Sequence, residues 1–120
     1  MASTKTVTVL DNNITLTAGA GNHTSGLWTL TAGYGGQLHI KVTNGATGPV
    51  AAAQAQVQVS PDNSHWYNFG GALIAQLGNG AVTSWAILIP IGVAYLQVIS
   101  GSNTTYDVVI RVEGLQVMVI

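Results

Sequence analysis

Residues 51–60 read Ala-Ala-Ala-Gln-Ala-Gln-Val-Gln-Val-Ser, and this stretch decides the fold. Ala53, Ala55, Val57 and Val59 share one face of an extended chain, while Gln54, Gln56 and Gln58 share the other. A period of two marks a half-buried strand. The alanine-rich start has good helix propensity. The alternation nevertheless runs on through Val59 and stops only at Ser60-Pro61-Asp62-Asn63. Those four residues read as a turn, with Pro fixing φ and the Asx side chains bonding their own backbone. Residues 66–70, Trp-Tyr-Asn-Phe-Gly, then return as the second arm of a hairpin.

The same period recurs outward in both directions. Toward the C-terminus, short strands are expected at 73–77, 82–89 and 93–99, separated by Gly78-Asn79-Gly80 and by Pro90 to Gly92. Residues 105–113 alternate again, with Tyr106, Val108, Ile110 and Val112 on one face and Asp107, Val109, Arg111 and Glu113 on the other. Residues 115–120 are apolar on both faces. Toward the N-terminus, residues 37–43 place Leu38, Ile40 and Val42 inward and Gln37, His39 and Lys41 outward. Residues 26–32 set Trp28 and Leu30 against Leu27, Thr29 and Thr31. Strands are also expected at 5–10 and 14–17, a loop at 18–25 and a turn at 33–36. Eight to ten short strands without a helical period predict an all-β chain. The expected fold is a single antiparallel β-sandwich over residues 1–120, possible as a jelly roll.

Composition narrows the function. A folded chain of 12.4 kDa exposes roughly 6,100 Å² of about 18,000 Å² in the extended chain, so a core forms without staples. There is no cysteine, which excludes disulfides and thiolate metal sites. The charged residues are Lys5, Lys41, Arg111, Asp11, Asp62, Asp107 and Glu113, 6% of the chain where about 25% is ordinary. Three bases scattered along the sequence do not make a nucleic-acid surface or a polybasic membrane patch. With 48% apolar residues and net charge -1, the chain is not expected to be disordered. Its most apolar run, residues 85–99, falls short of a span of ~20 residues and is cut by Pro90 and Gly92. The first ten residues lack the apolar core of a secretory signal. The Asn-X-Thr triplets at Asn13, Asn22 and Asn103 are therefore read as chance matches.

Chemistry is sparse. His23, His39 and His65 are the only side chains suited to acid–base work at neutral pH. No two of them lie at a metal-ligand spacing. Asp11 and Asp62 fall in expected turns, Asp107 and Glu113 on one outward strand face. There is no nucleophile elbow and no phosphate loop. The chain is thus not expected to be an enzyme or to hold a metal or cofactor. Trp66, Tyr67 and Phe69 alternate across the returning arm, which buries either Trp66 or Tyr67 with Phe69. The structural reading has Trp66 cap the core beside Val57 and Val59, since large aromatics dominate core energetics. The functional reading makes Trp66 and Tyr67 a sugar-stacking platform. Trp28 and Trp85 carry the same choice, with the core favoured.

Sparse charge has a further consequence. A soluble monomer normally protects its strand edges with charge. Here the outward faces carry Gln, Asn, Thr, Ser and Ala, and Val117, Met118, Val119 and Ile120 have no charged gatekeeper. Such a surface suits a component of an assembly.

The segment 57–70, Val-Gln-Val-Ser-Pro-Asp-Asn-Ser-His-Trp-Tyr-Asn-Phe-Gly, resembles a hairpin of small tailed-phage virion proteins. Residues 94–101, Ala-Tyr-Leu-Gln-Val-Ile-Ser-Gly, and 106–114, Tyr-Asp-Val-Val-Ile-Arg-Val-Glu-Gly, resemble their C-terminal part. The likeness covers residues 52–114, about half the chain. It implies a capsid decoration (cement) protein, made in the host cytoplasm and placed on the outer surface of the virion. Its expected partners are the major capsid protein and itself, as a trimer first and a dimer second, with neither nucleic acid nor membrane. Candidate contact residues are Thr4, Thr6, Val7, Val9, Leu10, His23, Val117, Met118, Val119 and Ile120. The alternative is a carbohydrate- or receptor-binding module of a phage tail or head fibre, with Trp66 and Tyr67 at its site.

Overall fold

The computed structural model describes residues 3–31 and 33–119. Among them are ten strands: β1 (Ser3–Leu16), β2 (His23–Thr24), β3 (Trp28–Thr29), β4 (Gly36–Asn44), β5 (Gln54–Ser60), β6 (Tyr67–Asn68), β7 (Leu73–Ile74), β8 (Val82–Ile89), β9 (Tyr95–Gly101) and β10 (Val108–Val119). All pair antiparallel, in a sheet β1-β10-β4-β8 and a sheet β2-β9-β5-β6. The short β3 continues the β2 position on β9, and β7 continues the β6 position on β5. The ten elements therefore fill eight strand positions, ordered 1-8-3-6 and 2-7-4-5. First pairs with last and the chain crosses repeatedly between sheets, which is the jelly-roll winding of a β-sandwich. None of the described residues forms a helix long and apolar enough to cross a membrane.

Side chains from the two inner faces meet in one core. Leu38, Ile40 and Val42 of β4 and Val108, Ile110 and Val112 of β10 face Ala55 and Val57 of β5 and Leu96 and Val98 of β9, all buried. Trp28 and Leu30 are buried as their alternation requires. The β5–β6 hairpin forms in the expected register, with Gln58 opposite Asn68 and Val59 opposite Tyr67.

Several local expectations are corrected. Residues 11–13 are not a turn between two strands. They are irregularities inside a continuous β1, where the register against β10 shifts between Val9 and Asp11 and again between Asp11 and Ile14. Asn13 takes up the extra length at φ 51°, a left-handed conformation that Asn tolerates. Gly114 does not end a strand either, since β10 passes straight through it. Tyr106 precedes β10 and is exposed rather than inward. Phe69, not Trp66, is the hairpin aromatic that packs on the core; Trp66 is only half-buried.

Candidate functional site

Strand pairing sorts β10 and its neighbours into two faces. Gly114 lies against Trp28 and so points inward, which turns Leu115 and Val117 outward. In register with Leu115 stand Val7 on β1 and Gln37 on β4, and Gln37 is opposite Leu88 on β8. A row Val7–Leu115–Gln37–Leu88 thus crosses the outer face of the four-stranded sheet. Leu88 is 80% exposed, Val7 60% and Val117 43%. Ile91, just past β8, is 70% exposed. Leu88, Ile91, Leu115 and Val117 line one open crevice of about 500 Å³ with Pro90 and Gly36 at its side. Singly exposed apolar residues need no explanation, whereas a grouped set does.

Beside this apolar end the same face carries charge. Lys41 stands directly opposite Arg111, and His39 opposite Glu113. These four line a second crevice of about 560 Å³. Lys5, opposite Val117, shares the face. All three bases of the chain therefore share this face, Lys41 and Arg111 on one side of the apolar row and Lys5 on the other, which their sequence positions did not suggest. Arg111 is held in place, with Nη1 2.6 Å from Asn12 Oδ1 and Nη2 3.3 Å from Glu113 Oε2. The acids Asp11, Asp62 and Asp107 lie elsewhere and act within the chain. Asp107 Oδ1 accepts the Ala18 N–H at 2.8 Å.

The last residues of β1 and β10 form an arm. Pairing of β10 with β4 ends at Leu115 opposite Gln37, while pairing with β1 continues to Val119 opposite Ser3. Residues 3–6 and 116–119 are thus a two-stranded ribbon, a form with little stability of its own in water. Its root is fixed by the buried Gln116. That side chain accepts the Thr31 N–H and donates to the carbonyls of Thr31 and Tyr34.

The candidate contact residues distribute as follows. Val7, Val9 and Val117 are exposed on the outer face, and Thr4 and Thr6 are exposed on the arm. Met118 is half-buried opposite Thr4. Val119 continues the strand, and Ile120 lies outside the described residues. Leu10 is instead 8% exposed and belongs to the core, since alternation along β1 turns it inward next to the outward Val9. His23 lies in β2 opposite Ser100, where a loop was expected, and its ring meets another side chain of the chain. His23 Nε2 is 2.8 Å from Asp11 Oδ1, the carboxylate being 4% exposed and its Oδ2 without a partner among the described residues.

Trp66 is half-buried and Tyr67 60% exposed, and neither lines the two large crevices. Below them the hairpin turn is organised by Asp62. Its Oδ1 accepts the N–H groups of Ser64 and His65 at 2.9 and 2.8 Å, and its Oδ2 lies 2.6 Å from His65 Nδ1. These bonds, led by the His65 backbone N–H, hold the Asp62 carboxyl well below the usual carboxylate range. Among the described residues, no three His, Asp or Glu side chains converge as metal ligands would. Leu88 and Ile91 were missed by sequence reading, since an apolar strand end signals burial as readily as exposure.

No protein family and no curated protein sequence matches the chain. Its fold is shared with solved viral and phage structures at low identity. The infectious bursal disease virus Gx strain structure aligns at TM-score 0.59 and 7% identity over 97% of this chain and 32% of that one. The SPBc2 prophage-derived protein YomS aligns at 0.54 and 13%, over 98% of this chain and 96% of that one. The enzymatically active domain of bacteriophage CBA120 tailspike protein 4 aligns at 0.56 and 15%, over 95% and 19%. The chain thus spans about a third of the first of these and nearly the whole of the second. At such identities the likeness is one of fold.

Proposed function

We propose that the chain is a structural protein of a bacteriophage virion, a decoration (cement) protein that docks on the outer surface of the capsid through the outer face of its four-stranded sheet. The observation that carries this reading is the exposed group Val117, Leu88 and Ile91 around one crevice, with Val7 in the same row, on a surface of 6288 Å² in a chain of only seven charged residues, of which Asp11 is buried. One charge per roughly 900 Å² is sparser than the ~800 Å² that a standard partner covers on each side. The shared fold with a viral particle structure and a prophage-derived protein supports it.

The mechanism is burial. A face that covers parts of two neighbouring copies of the major capsid protein removes apolar area from water at about 25 cal/mol per Å². That area must be exposed again before the copies part, so each bound molecule raises the cost of opening the shell. The β1–β10 arm offers backbone edges for added pairing with the shell. No catalytic step and no cofactor is part of this role.

Imaging of purified particles tests it. Density for the chain in hundreds of copies over the shell, and earlier heat-induced opening of particles lacking it, are expected. A handful of copies at a tail tip overturns the reading in favour of receptor or sugar binding.

A further inference from the structure

Strand β8 is a long sheet edge without the usual protection. Its sequence, Val82-Thr-Ser-Trp-Ala-Ile-Leu-Ile89, has no charge, no Pro and no Gly, and it pairs with β4 over its full length without a register shift. The opposite edge, β1, is protected by Lys5 and two irregularities, and its Leu10 carbonyl is taken by the Gly26 N–H. The edges of the other sheet are two-residue strands. Short, charged or bulged edges are how sheets avoid joining one another. By that measure β8 is the exception.

The register shows which groups β8 offers. The Asn44 N–H bonds the Ala81 carbonyl at 2.9 Å, one step beyond the Thr43–Val82 pair. Bonded and non-bonded pairs alternate in an antiparallel ladder. Thr83, Trp85, Ile87 and Ile89 therefore spend their backbone groups on β4, and Val82, Ser84, Ala86 and Leu88 turn theirs outward. Those four residues are also exposed. Among the described residues no backbone or side-chain partner meets their four N–H and four C=O groups.

These eight groups match their own copy. Two antiparallel β8 edges pair best when residue numbers add to 170: Val82 with Leu88 of the second copy, Ser84 with its Ala86, and the same two pairs reversed. All eight outward groups are then satisfied. A two-fold axis runs through Trp85, which meets Trp85 of the second copy at a non-bonded site, where side chains approach closest. Val82 and Leu88, 51% and 80% exposed, cover each other on the outer face. No charge on either strand opposes the contact. We propose that the chain forms a two-fold dimer through β8, joining two four-stranded sheets into one of eight strands. This interface is isologous, as a closed dimer requires. It goes beyond the capsid-docking reading and does not depend on it, and of the two oligomers left open by the sequence it selects the dimer.

Two measurements decide the matter. In sedimentation at tens of micromolar, the chain is expected to run at twice 12.4 kDa. Ala86→Pro removes one outward N–H, at an edge position facing away from β4, where Pro is tolerated. It should run as a monomer with the parent's far-ultraviolet circular dichroism, and its melting should lose the dependence on concentration that a dimer imposes. A cysteine-free chain also permits clean cross-linking. In the dimer Ser84 and Ala86 of the second copy stand ~5.5 Å apart at Cα, within disulfide reach. Ser84 is offset from its own copy by two residues, about 7–8 Å away, as is Ala86. An oxidised mixture of Ser84→Cys and Ala86→Cys chains should therefore give a covalent dimer that neither gives alone. A wild-type monomer, a mixture that stays uncrosslinked, or cross-linking of each variant alone to the same extent overturns the proposal. So does an Ala86→Pro chain that keeps the wild-type mass. If that variant does not fold, the cysteine mixture decides alone.

Discussion

Trp28 occupies the place where a side chain at Gly114 would stand. A Cβ at position 114 would lie 2.6 Å from Trp28 Cε2 and 2.7 Å from Cδ2, far inside van der Waals contact. Gly36 on β4 leaves room for the same ring, with Cη2 2.7 Å from its missing Cβ. The indole, 2% exposed and part of the core, therefore packs on bare backbone at these two positions.

Gly114→Ala should accordingly destabilise the fold by about 1–3 kcal/mol, the usual cost of overpacking a filled site. Trp28→Ala should cost more, about 3–5 kcal/mol, because it leaves a cavity. Urea midpoints of both variants provide the check. A Gly114→Ala protein as stable as the parent would show that the ring moves aside without loss.

The same pair shows where sequence reading stops. Gly in a run of strand residues reads as a break, and residues 11–13 with two Asn read as a turn. Both signals are local, and both are overridden by β1–β10 pairing along the whole edge. Strands β4 and β5 were legible because each has one clean apolar face, Leu38-Ile40-Val42 and Ala55-Val57-Val59. The charged face was not legible. Lys41 and Arg111 are 70 positions apart, and only the β4–β10 register puts them opposite each other. Their placement has a physical cost, since like charges directly across strands repel.

His23 and Asp11 give a second prediction. The carboxylate is buried, and among the described residues His23 Nε2 is its one side-chain partner. His23→Ala should cost about 1–3 kcal/mol, the penalty for a buried polar group left unpaired. Adding Asp11→Ala to that variant should cost little more, because the orphaned carboxylate is removed. Denaturant midpoints of the two single variants and the double variant yield the coupling. Purely additive losses would mean that the two side chains act independently.

Asp62 sets a pH response. Its pKa is lower in the folded chain than in the unfolded one, through the His65 backbone N–H first, then the His65 ring and the Ser64 N–H. A depressed pKa means that the carboxylate supports the turn at all pH values above the ordinary carboxylate range. That support is lost as pH falls through the folded value. The amide shifts of Ser64 and His65 should thus hold steady through pH 4 and titrate only in stronger acid. A midpoint at an ordinary aspartate value, about 3.9, would contradict the bonding described.

Attachment to a shell provides the last test, because the outer face mixes apolar area with three bases. Ile91→Asp and Val7→Asp change exposed positions, where substitutions usually alter stability by less than ~0.5 kcal/mol. Each should nonetheless sharply reduce the amount retained on purified particles, since a carboxylate would be buried without a partner. Lys41→Ala and Arg111→Ala should act differently. The Debye length falls from about 10 Å at 0.1 M salt to about 3 Å at 1 M, so rim charges govern encounter at low salt and little else. Apolar burial is not screened in this way. Retention should therefore persist through a wash in ~1 M sodium chloride. It should fail in urea kept below the chain's own unfolding midpoint, because urea solvates apolar and peptide groups. The bases add steering on this account, and the row Val7–Leu115–Gln37–Leu88 provides the grip. Stripping by salt alone, with Ile91→Asp still bound, would reverse that assignment and make Lys41 and Arg111 the contact that holds.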